Sequence, residues 1–316
     1  MTQAHQHTSH GDIGHHGHGH GGGHGGTRQD GDSGQAEILE LDAEVLAEHI
    51  ASITAWLPLK AEPRQIVDLG CGTGAGTFAL LERFPEAHVT AVDASAGHLQ
   101  FLREKACARG VSDRVRTVQT DLDTSRWPDL GTPDLVWASA SMHHMAHPDR
   151  ALRSVHELLA PGGMFAVVEL DGFPRFLPAD APEGRPGLEE RAHKATDSFH
   201  AEHVPHRGAD WGPMLAAAGF DVQDERTITV DIAGNRSEAV GRYAHGSLQR
   251  IRGAAAPTLS PEDLAALDEL LDVNSPHCVL YRDDLAVRTE RTVWAAHRSR
   301  PPAARLPAGP QRTSAT

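Results

Sequence analysis

The stretch Ile66-Val67-Asp68-Leu69-Gly70-Cys71-Gly72-Thr73-Gly74 constrains the fold of this chain more than any other. An apolar run of strand length ends in a carboxylate, and a tight glycine turn follows before a helical pattern begins. Glycines at 70, 72 and 74 let the backbone take positive φ and approach a ligand with no Cβ in the way. Two further apolar runs each close on one acid, at Val92-Asp93 and at Thr120-Asp121. In a parallel sheet all three acids lie along the carboxyl edge, where open α/β sheets bind ligands. That array suits a nucleoside, whose ribose and base need acceptors.

The rest of the body keeps the same rhythm. Ile38, Leu41, Val45, Leu46, His49, Ile50 and Ile53 recur at threes and fours, predicting an amphipathic helix that Pro58 and Pro63 stop. Strands are predicted at 65–68, 88–92, 115–119, 135–139 and 164–170, with helices at 76–83, 95–108 and 149–159 between them. This βαβα alternation predicts an α/β fold, a doubly wound and mostly parallel sheet covered on both faces. Beyond Leu170 the rhythm breaks. Helices are expected at 188–203, at 210–217 and from Ser260-Pro261, and strands at 221–230 and 286–297, the last antiparallel. The insertions 172–209 and 234–285 are where a lid belongs, and the folded body is expected to span 36–298, with its cofactor-binding core at 64–171.

Composition narrows the partners. Lys and Arg number 29 against 43 Asp and Glu, a net charge of -14, which repels phosphate backbones and weighs against nucleic acid. Three scattered cysteines and no long apolar run fit a cytoplasmic protein with no membrane span. Residues 1–35, dominated by His and Gly, are expected to be disordered, as is the Pro-, Ala- and Arg-rich tail 299–316. Flexible imidazoles such as His16, His18 and His20 chelate divalent metals weakly, so a metal-binding or regulatory role for the first tail is an alternative function. No metal site is assigned in the body, where His193, His200, His203 and His206 read as lid or surface.

Gly70, Gly72 and Ala75 also satisfy a relaxed dinucleotide pattern with Asp93 near the ribose spacing, so an NAD(P)-dependent oxidoreductase competes. Asp68 tips the balance, because a carboxylate there accepts from a cationic amino group and repels a pyrophosphate. Asp121 with Leu122 adds an acceptor for an exocyclic amine and an apolar wall for a purine.

With these residues the chain resembles the class I, Rossmann-like S-adenosylmethionine-dependent methyltransferases of the small-molecule type, well over about 64–171 and loosely beyond. The resemblance implies a seven-stranded sheet with helical insertions as a lid. It gives Asp68, Gly70, Cys71, Gly72 and Gly74 the amino-acid end of the cofactor, Asp93 the ribose hydroxyls with Ala94 beside the adenine, and Asp121-Leu122 the adenine. The segment Trp137 to Met145 resembles the His-His loop of such enzymes. Ser139 then falls beside the cofactor, and His143 and His144 face the acceptor, where a neutral imidazole can take a proton. Glu169 and Asp171 are weaker candidates. The implied activity is methyl transfer from S-adenosylmethionine to oxygen, nitrogen or carbon of a small organic acceptor.

Overall fold

Apolar runs between glycine and proline punctuation become the strands of one seven-stranded sheet in the computed structural model, which describes residues 26–234 and 237–298. Its elements run α1 (Gly26–Val45), α2 (Ala47–Trp56), β1 (Gln65–Leu69), α3 (Ala75–Arg83), β2 (His88–Asp93), α4 (Ala96–Ala108), β3 (Val115–Gln119) and β4 (Leu135–Ser139). Then follow α5 (Pro148–Leu158), β5 (Met164–Leu170), α6 (Leu188–Ala195), α7 (Asp197–His203), α8 (Trp211–Ala217) and β6 (Phe220–Ala233). The last elements are α9 (Glu238–Ala255), α10 (Pro261–Leu271) and β7 (Ala286–Arg298). The sheet order is β3-β2-β1-β4-β5-β7-β6, with β1 to β5 parallel and β7 antiparallel to both neighbours. Strand order reverses between β1 and β4, and a crevice opens there.

Both faces of the sheet are covered, which is why its strands read as unbroken apolar runs. Side chains still alternate. Ile66, Leu135, Trp137, Met164 and Ala166 pack against Phe78, Leu81, Leu99 and Leu102 of α3 and α4 on one face. Val67, Val136, Phe165 and Val167 pack against Leu152, Val155, Trp211 and Leu215 of α5 and α8 on the other. Helix starts follow their caps: Ser95 Oγ accepts from the His98 amide at 3.1 Å, and Ser260 Oγ from Asp263 at 3.1 Å ahead of Pro261.

A third layer lies over the sheet edge. Leu41 of α1, Leu188 of α6, Tyr243 and Leu248 of α9, and Leu267 of α10 form a separate apolar cluster with Phe176 and Val287. Two polar ties fasten α1 to the sheet's own elements. Lys105 Nζ on α4 donates to Glu40 at 2.8 Å, and Arg291 Nη2 on β7 donates to both Asp42 oxygens at 2.8 Å. The Tyr243 hydroxyl donates to the same carboxylate at 2.6 Å. Burial works against the charge on Arg291, but Asp42 beside it outweighs that and holds its pKa above the usual value.

Three boundaries differ from expectation. Helix α1 starts at Gly26, taking in the last ten residues of the tail expected to be disordered, while 1–25 and 299–316 lie outside the described residues. The expected 38–53 helix is two helices with a turn at Leu46, whose backbone leaves helical geometry at ψ 11°. The 188–203 helix breaks at Thr196, whose hydroxyl bonds back to the His193 carbonyl at 2.7 Å and competes with the helix. Among the described residues no helix is long and apolar enough to cross a membrane.

Removing Asp42 strands a buried guanidinium. Asp42→Ala is expected to lower unfolding stability by about 3 kcal/mol, read from urea denaturation, with Asp42→Asn less damaging.

Candidate functional site

A cavity of about 370 Å³ opens at the carboxyl edge of the sheet, spanning the strand ends from β3 across to β7. Asp68, Gly70, Cys71, Gly72, Asp93, Ala94, Asp121, Leu122, Ser139 and His144 all line it. The volume falls within the range of small-molecule sites.

The glycine turn is shaped by its neighbours. Gly70 has φ +66°, and a Cβ there would stand 2.4 Å from Ser141 Cβ, so the turn and the β4 loop touch backbone to side chain. Asp93 holds the turn from the other side. Its Oδ2 accepts from the Gly72 amide and its Oδ1 from the Ser95 amide, both at 2.8 Å, with His98 Nδ1 at 3.4 Å. Burial pushes the Asp93 pKa up, but the hydrogen bonds from His98, Ser95 and Gly72 outweigh it, and Asp93 stays below the ordinary carboxylate value. Gly74 does not line the cavity. At φ +96° it starts α3, and a Cβ there would meet Phe78 at 2.8 Å and Leu102 at 3.0 Å, so its place is in the packing beneath the turn.

Asp68 is nearly sealed, at 1% exposure, and its Oδ2 accepts from the Thr77 hydroxyl at 2.6 Å. Burial pushes its pKa up to about 7, the hydrogen bond from Thr77 only partly offsetting this. Burial likewise pushes the Cys71 thiol well up, with the Asp68 and Asp93 charges adding to it, so Cys71 contributes a wall and no thiolate.

The two adjacent histidines take different places, only His144 reaching the cavity wall. Ala140, in the left-handed region at φ +50°, turns the chain sharply out of β4 and into a 3-10 turn at Met142–His144. Glu169, buried at the end of β5, accepts from the amides of Ser141 (3.2 Å), Met142 (2.7 Å) and His143 (3.3 Å) through Oε1. Its Oε2 lies 2.5 Å from His143 Nδ1. His143 is thereby buried and off the cavity wall, a correction to its expected place facing the acceptor; its ring stays in contact with that of His144, with centroids 4.2 Å apart. His144 lines the cavity, and burial pushes its pKa down to about 4, with His143 reinforcing this and Glu169 opposing it. It is a neutral imidazole at pH 7. Glu169, with both oxygens engaged, positions this loop and is not free to act as a base. Asp171 takes long hydrogen bonds from Thr292.

Sequence reasoning missed Asp42, Thr73, Asp123 and Arg291 on the cavity wall. Asp123 anchors the His-His loop by accepting from the Ala146 and His147 amides, each at 3.0 Å. Its position two residues after Asp121 was the available signal, whereas Asp42 and Arg291 lie 249 residues apart and carry no local one. Thr73 Oγ1 and Trp137 Nε1 line the cavity, buried and without a hydrogen-bond partner in the structure. Buried donors are rarely left so, and these two fit a ligand with acceptor groups at the β1 end. In the insertion, His200 is bonded to Thr196 and His203 to the Phe199 carbonyl.

A family profile described as "Methyltransferase domain" matches residues 67–165. A trans-aconitate 2-methyltransferase from Methylobacterium nodulans is 32% identical over 225 residues, covering 70% of this chain and 79% of that protein. A demethylmenaquinone methyltransferase from Thermus thermophilus is 35% identical over 184 residues, covering 54% and 80%. Against a trans-aconitate 2-methyltransferase from Acidovorax sp., 40% identical, the chain spans only 38% of the relative's length. The solved structure of the YcgJ protein from Bacillus subtilis superposes with a TM-score of 0.50 at 18% identity, covering 80% of this chain and all of that one, which supports the fold.

Asp68 predicts a pH slope. Its folded pKa, about 7, lies above the ordinary 3.8, so between those values the native state holds a proton that the unfolded chain has released. Stability of the ligand-free protein should therefore fall as pH rises from about 4 to 7, by a few kcal/mol at most. Urea unfolding across that range checks it, and Asp68→Asn should flatten this part of the slope.

Proposed function

The chain belongs to the class I, Rossmann-like S-adenosylmethionine-dependent methyltransferases, and from that premise we propose that it transfers a methyl group from S-adenosylmethionine to a small organic acceptor. The observation that carries this reading is the order of groups along one cavity. Asp121, Asp93 and Asp68 follow one another across β3, β2 and β1, and His144 stands beyond them at the end of β4.

The residues present fit that cofactor. Asp121 and Leu122 supply an acceptor and an apolar wall for adenine, with Ala94 beside it. Asp93 is charged, and its two backbone hydrogen bonds leave lone pairs for two ribose hydroxyls. Gly70, Cys71, Gly72 and Ser139 surround the amino-acid end, where Asp68 accepts from an ammonium and the unpartnered Thr73 and Trp137 donors meet a carboxylate. When bound, S-adenosylmethionine supplies a methyl group on a good sulfonium leaving group.

The chain's own task is then alignment and proton handling. His144, neutral at pH 7, accepts a proton from an acceptor hydroxyl or amine. His143 and Glu169 hold the turn that presents it. The layer of α1, α6, α9 and α10 is the lid that excludes water. The relatives' names span trans-aconitate, malonyl-[acyl-carrier protein] and demethylmenaquinone, so the shared half of the site is the cofactor's. A dinucleotide would use the same Gly70, Gly72, Ala75 and Asp93 but place a diphosphate near Asp68.

Calorimetry should show micromolar binding of S-adenosylhomocysteine, weakened about 100-fold in Asp93→Ala through loss of charge-assisted hydrogen bonds. Purified protein that retains NAD(H) and ignores both sulfur nucleosides would end this reading. His144→Ala should lower kcat by about 100-fold and leave S-adenosylhomocysteine affinity unchanged.

A further inference from the structure

A second cavity, of about 530 Å³, lies between α1 and α9, with Gln35, Glu37, Ile38, Arg242, His245 and Arg250 on its wall. Gln35 lines both cavities, so the two chambers adjoin. Their charges are opposite in kind. The first carries Asp42, Asp68, Asp93, Asp121 and Asp123 against Arg291, which Asp42 already matches. The second carries Arg242 and Arg250 against Glu37.

Arg250 is the unmatched cation. Arg242 reaches Glu44 at 3.9 Å, but among the described residues no hydrogen bond or ion pair engages Arg250. Desolvation is the one influence shifting its pKa, and it lowers it. Its charge is felt at the reacting end of the site, being one of the influences that hold His144 neutral. A chain of net charge -14 repels anions, and an acid-lined cofactor cavity does so further. A lone, open guanidinium in the adjoining chamber reverses that sign locally.

We propose that the chamber between α1 and α9 seats the methyl acceptor, and that Arg250 binds a carboxylate group on it. This rests on the methyltransferase reading above and adds the acceptor's chemical class. The guanidinium fork presents two parallel N–H donors that match one carboxylate. A phosphate dianion calls for more charge than this one unmatched cation supplies. The division also suits the reaction: the cationic cofactor lies among acids, the anionic acceptor reaches it from the basic side, and His144 stands where the chambers' fields meet.

The test uses the full chain saturated with S-adenosylhomocysteine, whose own binding is measured first. A set of mono-, di- and tricarboxylic acids of three to six carbons is then titrated by calorimetry, each beside its neutral amide, together with inorganic phosphate. The expected result is binding of at least one acid but not of its amide. Arg250→Gln should weaken that acid by roughly 10- to 100-fold, the scale of a charge-assisted hydrogen bond, with Arg250→Lys intermediate and S-adenosylhomocysteine affinity unchanged. Arg250 is exposed on α9, so its replacement leaves the core intact. The proposal is overturned if no acid binds, if amides or phosphate bind as well as acids, or if Arg250→Gln leaves acid affinity unchanged. Failure of S-adenosylhomocysteine itself to bind would instead count against the methyltransferase reading, and acid binding to the cofactor-free chain would still report on Arg250.

Discussion

The Asp93 carboxylate is the contact on which the site's geometry depends. It ends β2, yet it accepts from an amide in the turn after β1 and from another at the start of α4. Three elements that meet at one strand edge are thereby fixed to a single charged group. Each such hydrogen bond is worth about 1.5–3 kcal/mol, so the turn is held in shape before any ligand arrives. Gly70 then lies against Ser141, whose hydroxyl donates to the Leu69 carbonyl at 2.8 Å, and the β1 and β4 loops become one surface.

Glu169 does for the His-His loop what Asp93 does for the glycine turn. It is a buried carboxylate whose oxygens are taken up by three amides and a ring nitrogen. A buried charge is tolerable only when so surrounded. The consequence is that one histidine is spent on structure and the next is presented to the cavity. Asp42 is the third such group, drawing Arg291 and Tyr243 to α1 and so bringing the outer helical layer down onto the sheet. All three sites use a carboxylate as a hub, which gives part of the chain's acidic excess a structural purpose.

Electrostatics also divides the space above the sheet. Acids line the chamber over β1 to β3, while the chamber under α9 is basic. Two ligands of unlike charge can be held side by side in this arrangement with little mutual interference, since each finds its complement locally in a medium where charge is poorly screened.

The sequence by itself determined the parallel core and the sheet edge that carries the glycine turn and the acids. Strands that are buried on both faces must be continuously apolar, and the turns that leave them must be glycine or acid, so Asp68, Gly70, Gly72, Asp93 and Asp121 could be placed from local pattern alone. Tertiary structure decided whatever depended on direction or distance. Gly74 and His143 belong to the right motifs but face the interior, because backbone turning at Ala140 and the packing of Phe78 and Leu102 set where they point. Asp42 and Arg291 joined the cavity wall, and Arg250 the adjoining chamber, only when an N-terminal helix, the last strand and a late insertion came together. No local periodicity encodes a meeting between residues 249 positions apart.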